Sequence, residues 1–207
     1  MQRIAITGGV AEGKTTILRM FETLGAATLS SDAIAATLLL PGTELCRQLI
    51  KEFGQAIVAA DGTLARGALA QLAFGEPYMR RRLNQIMHPA VVRALHERLE
   101  SIASSTPVMV EAPLLIEVAM QGDFDGVIVA QATPALQRQR LLNRGVSPQQ
   151  ARQILNAQLP TRAKVAFADW VVRTHRTLEQ VEAQVRRIWQ ELTESRGVYS
   201  PTQRNRI

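Results

Sequence analysis

The run Gly8-Gly9-Val10-Ala11-Glu12-Gly13-Lys14-Thr15 constrains this chain more than any other stretch, because it fits the pattern G-x-x-x-x-G-K-[ST] in full. That pattern carries meaning between a strand and a helix, and both neighbours are present. Arg3 to Thr7 alternates as a short β run up to the glycines. From Lys14 onward, apolar Ile17, Leu18, Met20, Phe21 and Leu24 recur at helical spacing. The glycines let the backbone curl so that successive N–H groups converge on a phosphate, and a helix opening at Lys14 adds its positive dipole end. Lys14 is expected to reach the β- and γ-phosphates, and the Thr15 hydroxyl to ligate Mg²⁺. Gly9, Val10, Ala11, Glu12, Gly13 and Thr16 complete the expected cradle. Glu12 is the odd member, a carboxylate in a loop built for anions, and an outward-pointing side chain that only tunes the loop reconciles it.

Binding of ATP or GTP follows from this loop. The acceptor of the transferred group does not, because hydrolases and kinases share it. The N-K-x-D motif that reads guanine is missing, and 207 residues leave little room for an oligomeric motor. A small-molecule kinase is the leading class.

Further strands are marked by short apolar runs: Ala26 to Leu29, Val108 to Val110, Gly126 to Ala130, and Trp170 to Val172. Helical patterns lie between them. Ser31 or Asp32 caps one that stops at Pro41-Gly42, Thr133-Pro134 and Ser147-Pro148 open two more, and Thr177 caps a closing helix. That last helix puts Leu178, Val181, Val185, Ile188, Trp189 and Leu192 on one stripe. Five short strands interspersed with helices predict an α/β fold with a parallel central sheet. The block from Thr43 to Ser105 is almost wholly helical in pattern, with punctuation at Gly54, Asp61-Gly62, Gly75-Glu76-Pro77 and His88-Pro89. It is too long for a single crossover and is expected to form a subdomain. Residues 196–207 lack periodicity and are expected to fray.

With 46% apolar residues the chain can build a core, which excludes global disorder. Cys46 is the only cysteine, so a disulfide scaffold is excluded, and a buried helical position is expected for it. No apolar stretch approaches the ~20 residues of a spanning helix, and Ile4-Ala5-Ile6 is too short for a signal core, so no membrane association and a cytoplasmic location are expected.

The net charge of +6 is concentrated. Between Ala135 and Leu178, Arg138, Arg140, Arg144, Arg152, Arg162, Lys164, Arg173 and Arg176 face one acid, Asp169, a surplus of seven. Of the 24 basic residues 21 are arginine, which suits two-pronged contact with phosphate. A solvated helix face is the plain alternative. Only Phe167 and Trp170 are aromatic in this segment, which argues against stacking on single-stranded nucleic acid.

Over about residues 3 to 190 the chain resembles the dephospho-CoA kinase family. The resemblance is carried by Thr7 through Thr16, Asp32-Ala33-Ile34-Ala35, Pro41-Gly42, Phe53-Gly54, Asp61-Gly62-Thr63-Leu64, Arg66, Leu69, Leu83-Asn84 and His88-Pro89. It continues in Pro113-Leu114-Leu115-Ile116-Glu117, in Gln137, Arg140 and Arg144, and in Gln158 and Ala168-Asp169. It implies a P-loop kinase fold in one domain, about 1–195, whose core comprises 1–34, 106–134 and 166–195. Within that domain it implies a helical substrate-binding subdomain at about 35–105 and a lid at about 135–165. The implied reaction is ATP-dependent, Mg²⁺-assisted phosphorylation of the ribose 3′-hydroxyl of dephospho-CoA. Lys14, Asp32 and Arg140 are the implied catalytic residues, with Arg144 beside them on ATP. Asp32 would accept or orient the hydroxyl proton, a role compatible with capping a helix. Substrate contacts are implied for Asp32, His88, Pro89, Leu114 and Leu115, while a structural histidine and plain core leucines stand as alternatives.

Departures from the family pattern are Ser30 for a carboxylate, Ala36 for arginine, Leu40 for glutamate, and Thr174 for asparagine. They bear on Mg²⁺ and substrate affinity more than on fold. Another small-molecule kinase of the nucleoside monophosphate type, or a non-catalytic nucleotide or nucleic-acid binder, are the alternative readings. No nucleic-acid partner is expected, and a monomer is favoured.

Overall fold

Apolar runs separated by glycine and proline become the strands of a parallel sheet in this protein, described here from a computed structural model that covers residues 2–74, 76–103 and 105–194. In chain order the elements are β1 (Arg3–Thr7), α1 (Lys14–Thr23), β2 (Ala27–Ser30), α2 (Ser31–Leu38), α3 (Glu44–Phe53), α4 (Arg66–Phe74) and α5 (Pro77–Ser101). There follow β3 (Val108–Glu111), β4 (Gly126–Gln131), α6 (Pro134–Asn143), α7 (Pro148–Asn156), α8 (Thr161–Val165), β5 (Trp170–Arg173) and α9 (Leu178–Glu194). Two units emerge: a helical unit, Ser31–Ala103, and a sheet unit formed by the chain before and after it. Gly75 and the expected tail at 196–207 lie outside the described residues.

The sheet unit has strand order β2-β3-β1-β4-β5, all parallel. β1 and β3 sit inside it, and Ile4, Ile6, Val108, Met109 and Val110 are fully buried, as unbroken apolar runs require of strands covered on both faces. The register sets Ile6 and Ser30 beside Glu111, and Thr7 beside Val129, so these side chains gather at the carboxyl end of the sheet. Ligands of parallel α/β sheets bind at that end. Ile17, Leu18 and Phe21 of α1 join Val181, Val185, Ile188 and Leu192 of α9 in one core, with the Phe21 and Trp189 rings 6.3 Å apart. Leu178, expected on that stripe, is instead 58% exposed at the helix's first position. Thr133 and Ser147 cap α6 and α7 through the amides of Leu136 and Gln150.

The helical unit packs Leu45, buried Cys46, Leu49, Ile57, Leu64 and Leu83 into its own core. Two boundaries differ from the sequence expectation. α2 begins at Ser31, placing Asp32 in the first helical turn, where the dipole favours a carboxylate, and it ends at Leu38 rather than at Pro41-Gly42. His88-Pro89 does not break the chain, because α5 runs through Pro89 without interruption. Proline lacks the N–H that would bond four residues back; Pro89 and Gln85 are both exposed, so the gap falls on the outer face of the helix.

Candidate active site

The loop between β1 and α1 holds its shape through residues distant in sequence. Gly8 and Gly13 take φ of +146° and +86°, and Ala11 takes +58°, a conformation costly for a residue with a Cβ. Arg140 donates to the carbonyls of Ala11 (2.9 Å) and Thr174 (2.9 Å) and to the Thr174 hydroxyl (3.3 Å). The Thr174 hydroxyl donates to the Glu12 carbonyl at 2.8 Å. Gln137 donates to the Val10 carbonyl (2.9 Å), while the Val10 N–H donates to Gln158 Oε1 (2.8 Å). Lys14 is buried, its ammonium donating to the carbonyls of Gly8 (3.2 Å) and Gly9 (2.7 Å). Threonine at 174 therefore holds both Arg140 and the loop, the post at which the family pattern has asparagine.

Glu12 corrects the sequence expectation. Its side chain points inward, fully buried, and Oε2 accepts from the Gly9 N–H at 2.5 Å. Oε1 accepts from the Thr161 hydroxyl at 2.5 Å, with a longer 3.5 Å contact from the Ala132 N–H. Water cannot reach the carboxylate, so it takes its donors from the protein.

The Thr15 hydroxyl donates to Glu111 Oε1 at 2.9 Å. Sequence reasoning passed over Glu111. The signal was an acid closing an apolar run, which becomes meaningful once β3 pairs with β1 and sets that acid behind the loop. A hydroxyl and a carboxylate are hard oxygen donors that fit Mg²⁺. Among the described residues no group of three or more His, Cys, Asp or Glu side chains could hold a metal. The pair thus fits an ion that draws its other ligands from phosphate and water, as Mg²⁺ does. Ser30, level with Glu111 in the sheet, adds a hydroxyl where the family pattern has a carboxylate.

From the loop a cavity of about 300 Å³ opens, floored by Ala11, Gly13 and Thr16 and edged by Arg140, Arg144 and Arg176. Thr174, Val181 and the exposed Leu178 also line it. Burial and the like charge of Arg144 hold the Arg140 guanidinium below its ordinary pKa, against the opposing pull of Glu12.

One member of the basic run is not on the surface. Lys164 is fully buried, donating to the Pro113 carbonyl (3.0 Å) and pairing with Glu117 (2.7 Å). It fixes the turn that carries Leu114 and Leu115; Leu115 is buried core and Leu114 is half-buried. Asp32, His88 and Pro89 belong to the helical unit, Asp32 on α2 and the other two on α5, which packs against α2. Burial lowers the His88 pKa, and its Nε2 is enclosed without a hydrogen-bond partner.

Residues 2–180 match the family model described as dephospho-CoA kinase. A dephospho-CoA kinase of Leifsonia xyli subsp. xyli is 39% identical over 193 residues, covering 91% of this chain and 98% of its own. One from Geobacter metallireducens is 39% identical, covering 92% and 96%. Among solved structures, the TT1252 protein of Thermus thermophilus superposes with a TM-score of 0.77 at 30% identity, covering 95% of this chain and 98% of its own. A shikimate kinase from Bacteroides thetaiotaomicron (TM-score 0.53, 17% identity, 93% and 98% covered) shares the fold alone.

Proposed function

Because this chain belongs to the dephospho-CoA kinase family, we propose that it transfers the γ-phosphoryl group of ATP to the ribose 3′-hydroxyl of dephospho-CoA, releasing CoA and ADP. The observation that carries the phosphoryl-transfer part of this reading is the Thr15–Glu111 pair behind a complete phosphate loop, and family membership carries the acceptor. Loop amides from Ala11 to Thr16 and the Lys14 ammonium hold the β- and γ-phosphates. Thr15 and Glu111 would hold Mg²⁺, which would neutralise phosphate charge there. Arg140 and Arg144, on the cavity edge, meet the negative charge of the polyphosphate. Asp32 aligns the 3′-hydroxyl and takes its proton as the new O–P bond forms and the bond from γ-phosphorus to the β,γ-bridging oxygen breaks.

The helical unit is assigned to the acceptor, through His88 and Pro89; Leu114 and Leu115 are also assigned acceptor contacts, and residues 135–165 serve as the lid. The enzyme works as a cytoplasmic monomer, and its arginine surplus is directed at phosphate groups rather than nucleic acid. Among the described residues no helix is long and apolar enough to cross a membrane. The test is a coupled ADP-release assay with ATP, Mg²⁺ and competing acceptors. Turnover on dephospho-CoA well above that on AMP or adenosine is expected. Preference for AMP would make the protein a nucleoside monophosphate kinase, and release with none of the three would sink the reading.

A further inference from the structure

The Glu12 carboxylate has no part in the reaction just described, yet it is fully buried inside the loop that must receive ATP. A Cβ on Gly8 would lie 2.8 Å from Glu12 Oε2, and one on Gly9 3.3 Å from its Cδ. The glycine pair therefore does more than turn the chain: it lets the backbone pass directly over this carboxylate. Three residues at intervals of three, Gln158, Thr161 and Lys164, all reach inward from the α7–α8 segment, the first two to the phosphate loop. Gln158 accepts from Val10, Thr161 donates to Glu12, and Lys164 holds Pro113 and Glu117. The same seven-residue stretch thus grips the loop at two points and the 113–117 turn at a third.

We infer that Glu12 is a positioning residue, a brace that ties the phosphate loop to the Gln158–Lys164 stretch through Thr161 and so keeps the loop in its ATP-binding form. The loop needs a brace because Ala11 sits at φ +58°, where a side-chain-bearing residue resists staying. With the Gly9 N–H drawn onto the carboxylate and the Val10 N–H onto Gln158, the amides from Ala11 to Thr16 are the ones presented to phosphate. Without the tie the loop samples other conformers, and ATP affinity falls by the fraction of time the competent form is lost. A competing effect has the opposite sign: a buried negative charge near the phosphates repels them. The hydrogen-bonded brace outweighs it.

The inference rests on this loop binding ATP, a reading that Lys14→Ala tests by itself. For the brace, the full-length protein is titrated calorimetrically with Mg·ATP in the absence of acceptor, and steady-state rates are measured in parallel. Thr161→Val, which keeps shape and removes the hydroxyl, is expected to weaken ATP about tenfold, the size of one lost charge-assisted hydrogen bond. KM for ATP should rise with it while kcat falls much less, and Thr161→Ser should restore both. Glu12→Gln should also weaken ATP, and the double variant should lose less than the two effects combined. Unchanged affinity in Thr161→Val, no rescue by Thr161→Ser, or tighter ATP binding by Glu12→Gln would each overturn the inference. The last would mean that the carboxylate opposes phosphate instead of shaping its cradle.

Discussion

Around the phosphate loop the candidate groups hold one another: Lys14 sits on Gly8 and Gly9, Thr15 on Glu111, and Arg140 on Ala11 and Thr174. In the helical unit, by contrast, His88 keeps an enclosed nitrogen without a partner, and Pro89 removes a bond from the middle of α5. The first region is held in one shape before any ligand arrives, by contacts among its own groups, so ATP need not organise the loop. The second gives up some stability, the usual cost of groups kept for something other than packing.

Substitutions can break or sharpen that contrast. The largest effect is expected from Lys14→Ala, a loss of roughly 10³ in kcat/KM, since a cation aimed at the transferring phosphoryl group is removed; steady-state kinetics at varied ATP measure it. Asp32→Asn should lower kcat by about 10²-fold or more while ATP affinity, read by titration, stays put. A matching loss of ATP binding would move Asp32 from the acceptor's chemistry to the nucleotide's. Glu111→Gln should raise the Mg²⁺ concentration for half-maximal rate roughly tenfold, because one charged oxygen behind Thr15 becomes neutral. Lys164→Met leaves Glu117 without its partner, and urea unfolding should show a loss of about 3 kcal/mol.

The smallest effect concerns pH. Burial holds His88 below its ordinary value of 6.5, so the unfolded chain binds this proton more readily than the folded protein. Its contribution to stability is present above that ordinary value and is lost as pH falls toward the lowered one. Replacing His88 with Gln should flatten this part of the stability–pH curve; an unchanged slope would assign it elsewhere.

How much of this was legible in the sequence varied with distance along the chain. The loop, the flanking strand and α1 could be read because each is a local pattern, and the five strands because each is a short apolar run between helical patterns. Glu111 was not legible: an acid after an apolar run is ordinary until parallel pairing sets it behind Thr15. The direction of the Glu12 side chain was hidden too, because it depends on donors from Gly9 and Thr161, the latter 149 positions away. Lys164 disappeared into a run of basic residues whose other members mostly face solvent, and only packing separates it from them. Pro89 read as a break because local chemistry says so, and tertiary packing of α5 overrode it.

The most direct measurement follows the new phosphate. With dephospho-CoA, ATP and Mg²⁺, phosphorus NMR of the product should show one new monoester on the ribose 3′-oxygen, formed in step with ADP. ADP formed without that monoester, or a monoester appearing at any other position, would contradict the account.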